Sequence, residues 1–189
     1  MEITKKGVPT ALAGSQPVVG EKAPTFKLKN LEDVYVGTDT LAGNVLLLSV
    51  FPDINTRICD LQTRHFFQVA SELDDVTIVN ISNNTKEEFA SWCATNGIDS
   101  EMLRDEDHAF ADAYGIWIPE FEVLARSIFV IDRKGMLVYS EIVPEMAQEP
   151  NYEAAICCRK KYCIKKNEHE STCSFFLFLL LRTSRRCLL

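Results

Sequence analysis

The chain has 189 residues, 47% hydrophobic and 25% charged, the proportions of a soluble globular protein with one domain, or one domain and a tail. Eight glycines and seven prolines exclude collagen-like or Pro/Gly-rich disorder, and the longest apolar run, Phe175 to Leu181, falls far short of the ~20 residues of a membrane helix. The net charge of −7 divides into +6 over residues 156–189 and −13 over the rest, and an acidic body argues against sequence-independent nucleic-acid binding.

The N-terminus, MEITKKGVPT, has no apolar core behind its lysines, so no secretory leader is expected and a cytoplasmic location is. Residues 1–20 are expected to form a strand or hairpin ahead of the main fold. VLLLSVF at 45–51 is an apolar run rich in β-formers, the pattern of a strand buried on both faces of a parallel or mixed sheet. DLQTRHFFQVASEL at 60–73 repeats apolar positions along roughly one helical face. VTIVNIS at 76–82 is a second buried strand. Thr85-Lys86-Glu87-Glu88 has the form of a capping box, opening a helix to about Asn96 that Gly97 terminates. A short helix is expected from Asp107 to Tyr114. SIFVID at 127–132, the turn Arg133-Lys134-Gly135 and the following MLVYSEIV predict a hairpin over 127–143. Pro150 suits the first position of a last helix. This order predicts an α/β, thioredoxin-like fold with an added N-terminal strand or hairpin.

Of seven cysteines, only Cys59 and Cys93 lie in residues 1–155. In a reducing compartment such thiols tend to be catalytic, redox-active or metal-bound. Between Phe51 and Asp60 a buried strand ends, a Pro-led loop follows, and Cys59 arrives at or near the first turn of the next helix. Backbone N–H groups and the helix dipole favour an anion there; a small buried cysteine without a role is the competing reading of position alone. Asp60 reads as a helix N-terminal acid satisfying backbone donors, and Arg57 as a solvated surface charge. His65, six positions after Cys59, reads as an ordinary helix residue, because a Cys–His pair is geometrically poor at that spacing. There is no C-x-x-C and no Gly-rich phosphate loop.

The pattern Pro52-x-x-x-Thr56-x-x-Cys59 after a buried strand resembles the active-site motif of the peroxiredoxins. The body is similar to one subfamily, the bacterial thiol peroxidases or atypical two-cysteine peroxiredoxins. Cys93 lies 34 positions after Cys59 in FASWCATNGI, Leu124-Ala125-Arg126-Ser127 leads into the third strand, and Glu149-Pro150-Asn151-Tyr152-Glu153-Ala154-Ala155 is similar to the family's last helix. The resemblance covers residues 1–156.

It implies that Cys59 is the peroxidatic cysteine and Cys93 the resolving one. Thr56 and Arg126 are then the donors to the developing charge, and Pro52 shields the sulfur from bulk water. It implies a thiol-dependent peroxidase for hydrogen peroxide and alkyl hydroperoxides, without cofactor or metal, recycled by thioredoxin and assembled as a homodimer. The alternative is a thioredoxin-like redox sensor or thiol-binding module that uses Cys59 without rapid turnover. A thiol of pKa about 8.5 is about 3% ionised at pH 7, so full ionisation gains only about 30-fold, or ~2 kcal/mol. Most of the acceleration must come from positioned donors.

The local sequence departs from the usual motif at Asp53, Asn55 and Arg57, which stand in place of a small hydroxyl residue, an acid and a glycine. A different rate or peroxide preference is expected from this, with the same reaction class. Trp117, Ile118 and Phe121 are expected to form an exposed apolar patch at the dimer interface. A capped helix from Thr85 buries Cys93 two turns deep while Cys59 sits in another helix's first turn, so a disulfide between them requires both segments to unwind.

Residues 157–189 do not follow the family pattern. This basic, Cys-rich stretch carries Phe175–Leu181 without consistent periodicity. A metal knuckle from Cys158, Cys163, His169 and Cys173 and a basic-hydrophobic anchor are the minority readings; a reading-frame change near codon 156 accounts best for the composition. Residues from about 165 are expected not to join the core.

Overall fold

The computed structural model describes residues 1–70 and 76–163, the last six by backbone alone. In front stands the expected hairpin, β1 (Glu2–Lys5) and β2 (Val8–Ala11), turned by Lys6 and Gly7 at φ 54° and 79°. Positive φ at both turn residues matches the strand twist. There follow β3 (Lys27–Lys29), β4 (Tyr35–Gly37), β5 (Val45–Val50), α1 (Arg57–Ala70), β6 (Val76–Ser82) and α2 (Lys86–Asn96). The chain continues through β7 (Met102–Arg104), α3 (Ala109–Ala113), the small hairpin of β8 (Trp117–Ile118) and β9 (Val123–Leu124), β10 (Ser127–Ile131), β11 (Leu137–Ile142) and α4 (Tyr152–Cys163).

Seven strands form one mixed sheet in the order β11-β10-β5-β6-β7-β3-β4. β5 runs parallel to β6 from Val45↔Val76 to Val50↔Ile81, and β6 runs parallel to β7. β10 pairs antiparallel with β5 and with β11, which is the hairpin expected over 127–143. All six β5 residues are buried, as the unbroken apolar run predicts. Alternation then sends Val45 and Leu47 to one face, with Phe66 of α1 and Ala155 of α4, and Leu46, Leu48 and Val50 to the other, with Phe110, Tyr114 and Phe129. Each such fully buried side chain contributes ~1.5–3 kcal/mol of transfer free energy. The α/β, thioredoxin-like architecture holds.

β3, β4 and β7 are not anticipated by the sequence pattern. β7 has only three residues and ends in Arg104, whose buried guanidinium is neutralised by Asp33 and Glu106. α1 begins at Arg57, three residues ahead of the periodic stretch, while positions 71–73 of the expected helix lie outside the described residues. α2 has the full capping box: the Thr85 hydroxyl accepts from Glu88 N, and Glu88 Oε2 accepts from Thr85 N, with Gly97 left-handed at φ 62°. α4 is capped by Asn151, whose Oδ1 accepts from Ala154 N at 3.0 Å, so Pro150 stands just outside it.

The expected patch of Trp117, Ile118 and Phe121 is not exposed. Ile118 is fully buried in the core, the half-buried Trp117 stacks on His108, and the half-buried Phe121 lies beneath Lys5 Nζ, 3.5 Å from the ring centroid. The β8–β9 pairing turns this segment inward. Among the described residues no helix is long and apolar enough to cross a membrane. α4 continues past Ile156 to Cys163; residues 164–189, and with them the metal-knuckle and anchor readings, lie outside the described residues.

Candidate active site

Cys59 occupies the third residue of α1, fully buried in a cluster with Phe51, Ile54, Phe89, Trp92, Ile98 and Met102. β5 ends at Val50, and buried Pro52 opens the loop that turns into α1. Thr56 is the residue before the helix, its carbonyl accepting from Asp60 N at 3.0 Å. Its Oγ1 lies 2.8 Å from the Asp53 carbonyl and 3.0 Å from Cys59 Sγ. A hydroxyl has one hydrogen and two lone pairs. It can accept from the thiol while donating to Asp53, or turn its hydrogen to an ionised sulfur.

Arg126, 1% exposed, comes from the loop before β10 and also reaches the sulfur. Its Nη2 is 3.4 Å from Cys59 Sγ and 3.2 Å from the Met146 carbonyl, and its Nη1 donates to Gln62 Oε1 at 2.7 Å. Nε is buried without a partner. Gln62 is also fully buried, and its amide donates to Ser49 Oγ at 2.8 Å and the Val50 carbonyl at 3.2 Å. The C-terminal end of β5 thus fixes Gln62, and Gln62 fixes the guanidinium. Thr56 and Arg126 therefore meet the Cys59 sulfur from two chain segments, while Pro52 is buried in the loop between β5 and α1. Gln62 is marked in the sequence only as a polar residue at an inward helix position, which does not reveal its task.

Cys93 lies half-buried in α2 against the same cluster that encloses Cys59, and both thiols are free. Burial, with the charge of Asp99 adding to it, pushes the Cys93 thiol up. In this arrangement its sulfur is held as the thiol.

The helices are locked side by side. Asp60 accepts from Arg64 Nε at 2.9 Å and from Trp92 Nε1 at 3.0 Å, while Arg64 also bonds Asn96. Asp60 therefore bridges α1 to α2 through side chains, and does not serve as the backbone-capping acid expected. Arg57 is exposed at the rim of a groove of about 530 Å³ between the Cys59 loop and α2, bounded also by Ile54, Asn55, Thr56 and Trp92. His65 stacks on Tyr152 of α4 at 3.9 Å and takes no part in a Cys–His pair. Burial and the acceptor Glu149 push the Tyr152 phenol up.

Residues 19–140 match the AhpC/TSA family. A thiol peroxidase of Bacillus subtilis is 43% identical over 159 residues, covering 82% of this chain and 94% of that protein. One of Listeria innocua is 40% identical over 162 residues, covering 85% of this chain and 98% of that protein. Among solved structures, a peroxiredoxin-like protein from Aquifex aeolicus superposes with a TM-score of 0.78 at 24% identity, covering 84% of this chain and 96% of that one. A thiol peroxidase from Chromobacterium violaceum gives 0.77 at 14% identity, with 85% and 96% coverage; these two likenesses speak to the fold alone. At 40% identity and more, over four-fifths of its length, the chain belongs to the AhpC/TSA family and to the thiol peroxidase branch its motifs resemble.

Proposed function

We propose that this thiol-dependent peroxidase reduces hydrogen peroxide and alkyl hydroperoxides through the Cys59 thiolate. The observation that carries the reading is the placement of two donors on one buried sulfur, Thr56 Oγ1 at 3.0 Å and Arg126 Nη2 at 3.4 Å. The thiolate attacks the terminal peroxide oxygen, the O–O bond breaks, and the leaving alkoxide or hydroxide takes up a proton as alcohol or water. Cys59 is left as the sulfenic acid. Arg126 carries a fixed positive charge aimed where negative charge develops, and needs no rearrangement when the reaction occurs. Cys93 then condenses with the sulfenic acid to a disulfide, releasing water.

Thioredoxin as the reductant of that disulfide, a homodimeric assembly and a cytoplasmic location complete the proposal; kinship with bacterial thiol peroxidases supports them. The active unit is residues 1–156. The test is peroxide consumption with a thioredoxin system present. Cys59→Ser and Arg126→Ala should each abolish or severely reduce turnover, and Cys93→Ser should block recycling by thioredoxin after the first turnover. Undiminished peroxide removal by Cys59→Ser protein would overturn the assignment.

A further inference from the structure

We propose that Asn55, with Asn84 and Glu88, is a positioning clamp that ties the Cys59 loop to the first turn of the Cys93 helix, and that its opening controls whether oxidised Cys59 is resolved or over-oxidised. The proposal rests on Cys93 as the resolving thiol. The clamp is a closed ring of four side chains. The Asn55 amide donates to Asp53 Oδ1 at 3.0 Å and to Glu88 Oε1 at 3.2 Å. The Asn84 amide donates to the same Asp53 oxygen at 3.0 Å and to Glu88 Oε2 at 3.1 Å. Each amide carries two N–H donors and each carboxylate only accepts, so the two types alternate around the ring.

Both ends are anchored to backbone. Asn84, itself buried, accepts from Ile54 N at 2.9 Å, and Glu88 Oε2 accepts from Thr85 N at 2.8 Å within the capping box. Asn55 stands four residues before Cys59, and Glu88 five residues before Cys93. In the resolving step proposed for Cys93, the first turn of α1 and part of α2 give way so that the sulfurs can join. While the ring is closed the loop cannot leave α2 without stripping charge-assisted hydrogen bonds from two carboxylates. The ring therefore adds to the free-energy gap between the closed and open states.

Those states lead to different products. In the open form the Cys93 sulfur attacks Cys59 Sγ; the S–S bond forms, the S–O bond breaks, and the hydroxide leaves as water with the Cys93 proton. In the closed form the sulfenate persists and attacks a second peroxide, whose O–O bond breaks to give the sulfinic acid and an alcohol or water.

Two variants cut the ring without touching the donors on Cys59. Asn55→Ala removes one amide. Glu88→Gln keeps one oxygen for Thr85 N and turns an N–H donor toward Asn55. Intact mass across a hydrogen peroxide titration reads disulfide against sulfinic acid, and amide hydrogen exchange reads residues 86–93. Each single variant should lower the sulfinic-to-disulfide ratio about three- to tenfold, the net weight of one ordinary hydrogen bond on the solvent-exposed side of the ring. Asn55→Ala should quicken exchange over 86–93 although it lies in the other segment, and the double variant should go no further than either single. An unchanged ratio in a protein that does form the Cys59–Cys93 disulfide, exchange altered only over 53–60, or additive effects would overturn the clamp. Absence of that disulfide from the wild-type protein would overturn the role of Cys93 instead, and the exchange coupling alone would then decide the clamp.

Discussion

Arg126 Nη1 donates to Gln62 Oε1 at 2.7 Å, so the guanidinium facing Cys59 is aimed by a neutral side chain three residues along the same helix. Gln62→Ala frees one end of a buried cation and leaves Ser49 Oγ and the Val50 carbonyl without their donor. A hydrogen bond to a charged group is worth ~1.5–3 kcal/mol, which corresponds to a loss of about ten- to a hundredfold in kcat/KM for peroxide. Stopped-flow peroxide consumption checks the rate. Thermal unfolding should also show a lowered Tm, because the stranded groups are buried.

The Thr56 hydroxyl has one hydrogen for two acceptors, the Asp53 carbonyl and Cys59 Sγ. Thr56→Ser keeps the switch and should retain activity within about threefold; Thr56→Val keeps the shape but loses the hydroxyl and should cost about tenfold or more. Equal rates for the two variants would show that the methyl group matters and the hydroxyl does not.

Cys93 is held as a thiol by burial and by Asp99. Its folded-state pKa is raised, so the fold binds this proton more tightly than the open chain does. The resulting preference for the closed state is full below the usual thiol range and fades as pH rises through the higher Cys93 value. In Cys59→Ser protein, alkylation of Cys93 by iodoacetamide should be slow at neutral pH and reach its plateau at higher pH than for an unfolded control. Asp99→Asn should shift that profile downward.

The strands β5, β6 and β10 and the Thr85 capping box were legible because local pattern and burial agree in them: every β5 residue is apolar except Ser49, and that serine binds Gln62. β7 was illegible because its three residues owe their state to pairing with β6, a contact between distant elements. Pro52, Thr56 and Cys59 were accessible through a spaced motif, and Arg126 through the family resemblance of Leu124-Ala125-Arg126-Ser127. Gln62 was not, since its task is defined only by the Arg126 side chain 64 positions away. The clamp was hidden for the same reason: Asp53 and Asn55 read as departures from a motif, and their use appears only when Asn84 and Glu88 stand opposite them.

Glu145 fastens the N-terminal hairpin to the loop that meets Arg126. Its carboxylate accepts from Thr4 Oγ1 at 2.7 Å and from the amides of Lys6, Gly7 and Ala147 at 3.0–3.1 Å, and these donors hold its pKa down at about 2. A depressed carboxyl stabilises the fold fully above its unfolded value of 4.5, and the contribution is lost as pH falls through about 2. Glu145→Gln should therefore lower the Tm at pH 7, with the gap from wild type closing between pH 4.5 and 2. A constant gap across that range would place the effect in packing and not in the charge.

The first turn of α4 packs on the body. Tyr152 stacks on His65 at 3.9 Å and meets Phe66 edge-on at 5.3 Å, while Ala155 is fully buried against the sheet. A chain ended after Lys161 keeps all three contacts. Its peroxide turnover should stay within about twofold of the full chain and its Tm should be unchanged, since these contacts lie within the residues that are kept. Loss of the apolar run Phe175–Leu181 should also improve solubility. Tyr152→Ala in the full chain is the contrasting variant: it removes a half-buried aromatic side chain and should cost ~1–3 kcal/mol by denaturant unfolding. If the shortened protein loses activity while Tyr152→Ala keeps it, the functional unit extends beyond residue 161 and the boundary at 156 is wrong.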